Sequence, residues 1–188
     1  MMFAFCAKSG DQSRLAKHLV VLFILMCSSF LLGRPASAGP KLAEWATVKN
    51  ERHGYAIAYP VDVFEQREAP RSDEGRVLYS KDGKARLLFG AFDNSQNNSL
   101  EQYRQFLLSE HYAGTKIDYA PVRKTWFVLS GQQGDQMFYQ RVSFTCGGRL
   151  INSWAMLYPV AERKFYDRVV EAVARSFSPG AGRTGMCD

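Results

Sequence analysis

The sequence predicts an α+β domain: a mostly antiparallel sheet of about six strands flanked by two main helices. Three observations predict it. Residues 99–110 and 160–177 repeat apolar side chains at helical spacing. Elsewhere, runs of alternating side chains are separated by Asp-Gly, Gly-Asp and Gly-Gly pairs, which are turn signals. The resulting order is strand, hairpin, helix, three-stranded meander and closing helix, with no internal repeat, heptad run or low-complexity tract.

The first 38 residues differ from the rest. A lead carrying Lys8, Arg14 and Lys17 precedes LVVLFILMCSSFLL, fourteen residues from Leu19 to Leu32, and Ala36-Ser37-Ala38 supplies a small-x-small site. This is the layout of a secretory signal peptide, so cleavage after Ala38 and a periplasmic or secreted product are expected. The run is shorter than the roughly 20 apolar residues that span a bilayer, so membrane contact is expected only through an uncleaved signal. Cys27 follows Leu25-Met26 rather than the small residues of a lipoprotein box, which argues against a lipid anchor. Loss of Lys8, Arg14, Lys17, Arg34 and Asp11 lowers the formal net charge from +6 to +3. No Lys/Arg run longer than two residues then remains, and nucleic acid is not an expected partner.

Residues 39–53 form an N-terminal connector, with Ala43 to Lys49 as a short connector or edge strand. His53-Gly54 turns the chain into a strand where Tyr55, Ile57 and Tyr59 alternate with Ala56 and Ala58, and Pro60 stops it. Glu65 to Gly75 is polar and contains Pro70, which predicts a surface loop. Arg76–Ser80 and Ala85–Phe92 make a hairpin around Asp82-Gly83. The return strand ARLLFGAF is apolar at both parities, so either both its faces are covered or one contacts a partner.

Ser99 and Gln102 form a capping box, and Leu100, Tyr103, Phe106 and Leu107 give the following helix one apolar stripe through Glu110. Lys116 to Val122 reads as a strand that Pro121 confines to an edge. From Trp126 to Phe144 two alternating strands flank the loop GQQGD; Cys146-Gly147-Gly148 then turns into a third strand, Arg149 to Tyr158. The closing helix aligns Phe165, Val169, Val173 and Phe177, joined by Ala172, on one face, and Pro179-Gly180 ends it. Cys6 and Cys27 lie in the signal, which leaves Cys146 and Cys187. In an oxidising compartment these two are expected to pair and tie down the tail, residues 180–188.

GYAIAYPVDVF from Gly54 to Phe64, the Lys-Asp-Gly hairpin, WFVLSG and YDRVVEAVARSF together resemble the PsbP-like superfamily over residues 54–179. That superfamily includes extrinsic subunits of the photosynthetic oxygen-evolving complex, Ran-binding nuclear import factors and many exported bacterial proteins. The resemblance implies a PsbP-like α+β sandwich acting as a binding or accessory module. It carries over no catalytic residue.

Chemistry-bearing residues are sparse. Ser130-Gly131 lacks the G-x-S-x-G elbow and reads as a serine ending a strand before a turn. His53 and His111 are too far apart in sequence to form a motif, and no metal-ligand spacing or cofactor signature occurs; no metal and no cofactor is expected. Asp93 to Asn98 is oxygen-rich but lacks the EF-hand pattern, and turn and cap chemistry explain it. The aromatic side chains are the more informative feature. Trp126, Tyr139, Trp154 and Tyr158 fall on the parity opposite to Phe127, Leu129, Phe138 and Leu157, so the meander carries a second aromatic face unless a helix or the N-terminal segment covers it. Arg141 and Arg149 lie near that face and suit bidentate capture of an anion. The candidate binding set is therefore Trp126, Tyr139, Arg141, Arg149 and Trp154. The expected function is that of an exported, non-enzymatic binding or accessory protein of the bacterial cell envelope, contacting a protein or envelope component. The alternative is a periplasmic hydrolase whose site assembles only in three dimensions.

Overall fold

A computed structural model describes residues 44–69 and 73–187. The first 38 residues, expected to be a signal peptide, the first part of the expected connector and Pro70 lie outside the described residues. Nine strands occur among them: β1 (Trp45–Lys49), β2 (Ala56–Pro60), β3 (Phe64–Glu65), β4 (Gly75–Ser80), β5 (Arg86–Asp93), β6 (Lys116–Tyr119), β7 (Trp126–Gln133), β8 (Gln136–Thr145) and β9 (Leu150–Pro159). The helices are α1 (Leu100–Phe106), which continues into a π-helical turn at Leu107–His111, and α2 (Arg163–Ser176). β1 and β2 form a two-stranded ribbon. The other seven make one antiparallel sheet in the order β3-β4-β5-β9-β8-β7-β6.

The strands lengthen beyond the expected loop boundaries. β7 runs through Ser130-Gly131 to Gln133, and only Gly134-Asp135 separate it from β8. Gly131 is required inside the strand, because a Cβ there would run into the Lys116 carbonyl of the edge strand β6.

Two cores sandwich the sheet. On the first face, α2 and the β1–β2 ribbon cover Leu87, Phe89, Trp154, Met156 and Tyr158. α2 buries Tyr166, Val169, Val170 and Val173, with Phe177 just beyond it. Tyr166 rather than Phe165 therefore leads the buried stripe. The Tyr166 ring stacks on Tyr158 at 5.3 Å, and Phe165 is left packing edge-on against Tyr166. On the second face, Leu100, Tyr103, Leu107 and Leu108 pack over Phe127, Leu129, Phe138 and Phe144. The capping box forms as expected, with Ser99 Oγ accepting from Gln102 N at 3.2 Å and Gln102 Oε1 accepting from Ser99 N at 2.7 Å. The stripe differs in one residue: Phe106 lies on its flank and is 47% exposed.

Polar side chains hold the loops to this frame. Asn94 donates to the carbonyls of Asn98 and Gly148 and accepts from Asn98 N, so the oxygen-rich segment before α1 closes on itself and on the β8–β9 turn. Asn152, fully buried, accepts from Gly180 N at 2.7 Å and donates back to its carbonyl. Gly180 itself lies so close to the His53 carbonyl that no Cβ fits. The tail is finally tied by the disulfide Cys146–Cys187, with 5.1 Å between the Cα atoms.

Candidate functional site

In antiparallel strands, directly opposed residues share a face. Trp126 opposes Ser143, Val128 opposes Arg141, and Ser130 opposes Tyr139; across the next ladder Arg141 opposes Trp154 and Tyr139 opposes Met156. Trp126, Tyr139, Arg141 and Trp154 thus project from one face, as their sequence parity implies. That face is the one α2 covers.

Trp154 is consequently a core residue. It is 1% exposed and packed between Tyr139, stacked at 4.9 Å, and Phe177 at 6.4 Å. Its place in the binding set is corrected: an indole buried there has no surface to offer. Arg149 is corrected as well. It follows the β8–β9 turn, and its guanidinium donates to the Cys146 carbonyl at 3.2 Å and the Cys187 carbonyl at 2.8 Å, fastening the tail beside the disulfide. Four residues of β8 separate Arg141 from the turn, a rise of about 13 Å, so the two arginines do not form one rim.

Trp126 and Arg141 do come together, and Tyr139, two residues before Arg141 on β8, stays half-buried against the core. The Arg141 guanidinium lies over the Trp126 ring at 4.8 Å, its Nε buried without a hydrogen-bond partner among the described residues. A second guanidinium, Arg123, lies 5.8 Å from the same ring. Arg123 reaches it because Val122 bridges Phe127 and Arg123 N donates to the Trp126 carbonyl at 2.8 Å, folding residues 123–126 into a tight turn. Tyr119, 58% exposed, and Val122, 40% exposed, supply an apolar border. Burial pushes the Tyr139 phenol above its ordinary value, against the opposing field of Arg141. None of the ion pairs among the described residues involves Arg123 or Arg141. Two guanidiniums against one indole, with one buried donor unmet, carry the chemistry that suits a carboxylate or phosphate group.

Sequence reasoning missed Arg123, Tyr119 and Val122. The Arg-Lys pair three residues ahead of Trp126 was the available signal, together with Pro121 marking the edge.

Ser130 and His111 do not meet. Ser130 shares the α2 face with Tyr139, and its Oγ donates to the Phe138 carbonyl at 2.9 Å. His111 ends the helical segment on the opposite face, its ring edge-on to Phe106 at 5.6 Å. His53 is buried, its Nε2 without a hydrogen-bond partner, and its pKa is lowered by burial and then by Arg52, with Asp93 and Glu74 pulling the other way.

No protein-family model and no curated protein matches the sequence. Solved structures do. The chain is similar to cyanobacterial PsbP (CyanoP) from Synechocystis sp. PCC 6803, with a TM-score of 0.53 and 13% identity over 79% of this chain and 98% of that one. A crystal structure from Bacteroides thetaiotaomicron VPI-5482 gives a TM-score of 0.43 and 15% identity; the match covers 74% of this chain and 49% of that one. The chain has a PsbP-like fold. No helix among the described residues is long and apolar enough to cross a membrane.

Proposed function

We propose that this is an exported, non-enzymatic binding or accessory protein of the bacterial cell envelope, periplasmic or secreted, that docks an anionic patch of a protein or envelope component against Trp126, Arg123 and Arg141. The observation that carries the reading is the buried, unpartnered Nε of Arg141 beside an indole flanked by two guanidiniums. A carboxylate or phosphate entering there gains charge-assisted hydrogen bonds, while the partner's apolar surface covers Tyr119 and Val122. Export is supported by the signal-like leader and by the disulfide, a bond of oxidising compartments.

The test is site-specific photocrosslinking in cells that produce the protein. A photoreactive side chain at Val122 is expected to give a discrete adduct with an envelope component, and one at exposed Gln105 on α1 is not. No adduct at Val122, or the same adduct from both positions, contradicts the proposal.

A further inference from the structure

Among the described residues, the second face of the sheet is only partly covered. The helical segment lies over the β6–β8 side; over β4, β5 and β9 a groove of about 760 Å³ remains open. This volume falls within the roughly 300–1000 Å³ of small-molecule sites. It explains the doubly apolar β5: Leu87, Phe89 and Ala91 enter the core beneath α2, and Leu88 and Phe92 line the groove.

The depth of the groove comes from one rung of the sheet. Gly75, Gly90 and Ser153 stand opposite one another on β4, β5 and β9, so three adjacent strands present no large side chain. A Cβ on Gly90 would lie 2.6 Å from the Glu74 carbonyl oxygen and 2.9 Å from Gly75 Cα, so this position admits only glycine without a shift of β4. Leu88, Ala155 and Leu157 continue the floor, and Tyr103, Leu107 and Tyr112 form a wall.

A neutral hydrogen-bond relay crosses this floor. The Tyr112 hydroxyl donates to Gln140 Oε1 at 2.7 Å, and Gln140 Nε2 donates to Ser153 Oγ at 3.0 Å. Burial pushes the Tyr112 phenol up to about 12, so the relay keeps its direction near neutral pH. Ser153 accepts from Gln140, and none of the described hydrogen bonds takes its own hydroxyl proton. The charged residues around the groove, Glu68, Glu74 and Arg76, are of mixed sign and select for no ion.

We propose that this groove is a second binding site, for an uncharged lipophilic molecule whose carbonyl or hydroxyl oxygen accepts a hydrogen bond from Ser153. The site lies on the face opposite Trp126 and is independent of the anion-docking reading.

Nile red, an uncharged lipophilic dye with a carbonyl oxygen, is the probe, titrated onto the full chain by its blue-shifted emission. The native chain binds it. Ala155→Trp, which fills the floor, abolishes binding. Ser153→Ala weakens it about 3–10-fold, the worth of one hydrogen bond, in a chain whose circular dichroism shows it still folded. Arg141→Ala leaves it unchanged, and the anionic dye anilinonaphthalene sulfonate binds at least tenfold more weakly than Nile red. Absent emission from the native chain, equal binding by native and Ser153→Ala chains, or tighter binding of the anionic dye overturns the proposal. If Ala155→Trp does not fold, Ser153→Ala decides alone.

Discussion

Arg141 and Trp154 stand directly opposite one another on β8 and β9, yet Trp154 is sealed beneath α2 while the Arg141 guanidinium turns to the Trp126 ring at 4.8 Å. One rung of the ladder divides the aromatic face into a half buried in the core and a half where the proposed contact lies. Substitutions on the two sides of that division separate stability from binding.

On the core side, Trp154→Ala leaves a cavity among Tyr139, Phe89 and Phe177, and the expected loss is about 3–5 kcal/mol. Urea unfolding measures it. Partner recovery per folded molecule is expected to stay unchanged; a loss of recovery without a loss of stability would return Trp154 to the contact surface.

The Cys146–Cys187 bridge closes a loop with a sequence separation of 41, for which the chain-entropy relation gives about 4 kcal/mol. Replacing both cysteines with serine is expected to lower stability by about 2–4 kcal/mol and to speed amide exchange from Gly180 to Gly185. Because Asn152 and Arg149 still hold the tail, its first residues, near Gly180, remain the better protected. Equal stability of the native and doubly substituted chains would show that the bridge adds nothing to the fold.

His53 sets a pH dependence. Its buried ring favours the neutral form, so its folded pKa lies below the ordinary value of 6.5 and the unfolded chain binds the proton first. Stability is therefore full above about pH 6.5 and falls as the pH drops through the folded pKa. Denaturation midpoints at successive pH values are expected to decline on the acid side in the native chain. His53→Asn is expected to be less stable at neutral pH and to show a shallower acid decline; an unaltered acid limb would assign the dependence to other groups.

Interactions local in sequence were legible in it, and those set by packing across the sheet were not. The Ser99–Gln102 capping box closes within one helical turn, and the meander announces itself by alternation and glycine turns. Parity placed Trp126, Tyr139, Arg141 and Trp154 on one face, but which stretch of that face α2 covers depends on how a helix lies across three strands. The same rotation exchanges Phe165 for Tyr166 in the buried stripe. Arg149 looked like a free cation because its acceptors, the Cys146 and Cys187 carbonyls, are brought together by the disulfide and the tail. The Gly75–Gly90–Ser153 rung joins three strands whose register alternation alone does not specify. The disulfide was legible because only two cysteines, Cys146 and Cys187, lie outside the first 38 residues.

The anion-docking claim is tested most directly by recovering partners from envelope extract on the full chain at low and at high salt, with the native protein beside an Arg123→Ala/Arg141→Ala variant of matched stability. Each lost charge-assisted hydrogen bond is worth about 1.5–3 kcal/mol, so retention is predicted to fall at least tenfold in the variant and to weaken steeply with salt in the native chain alone. Equal retention by both proteins at both ionic strengths would contradict the account.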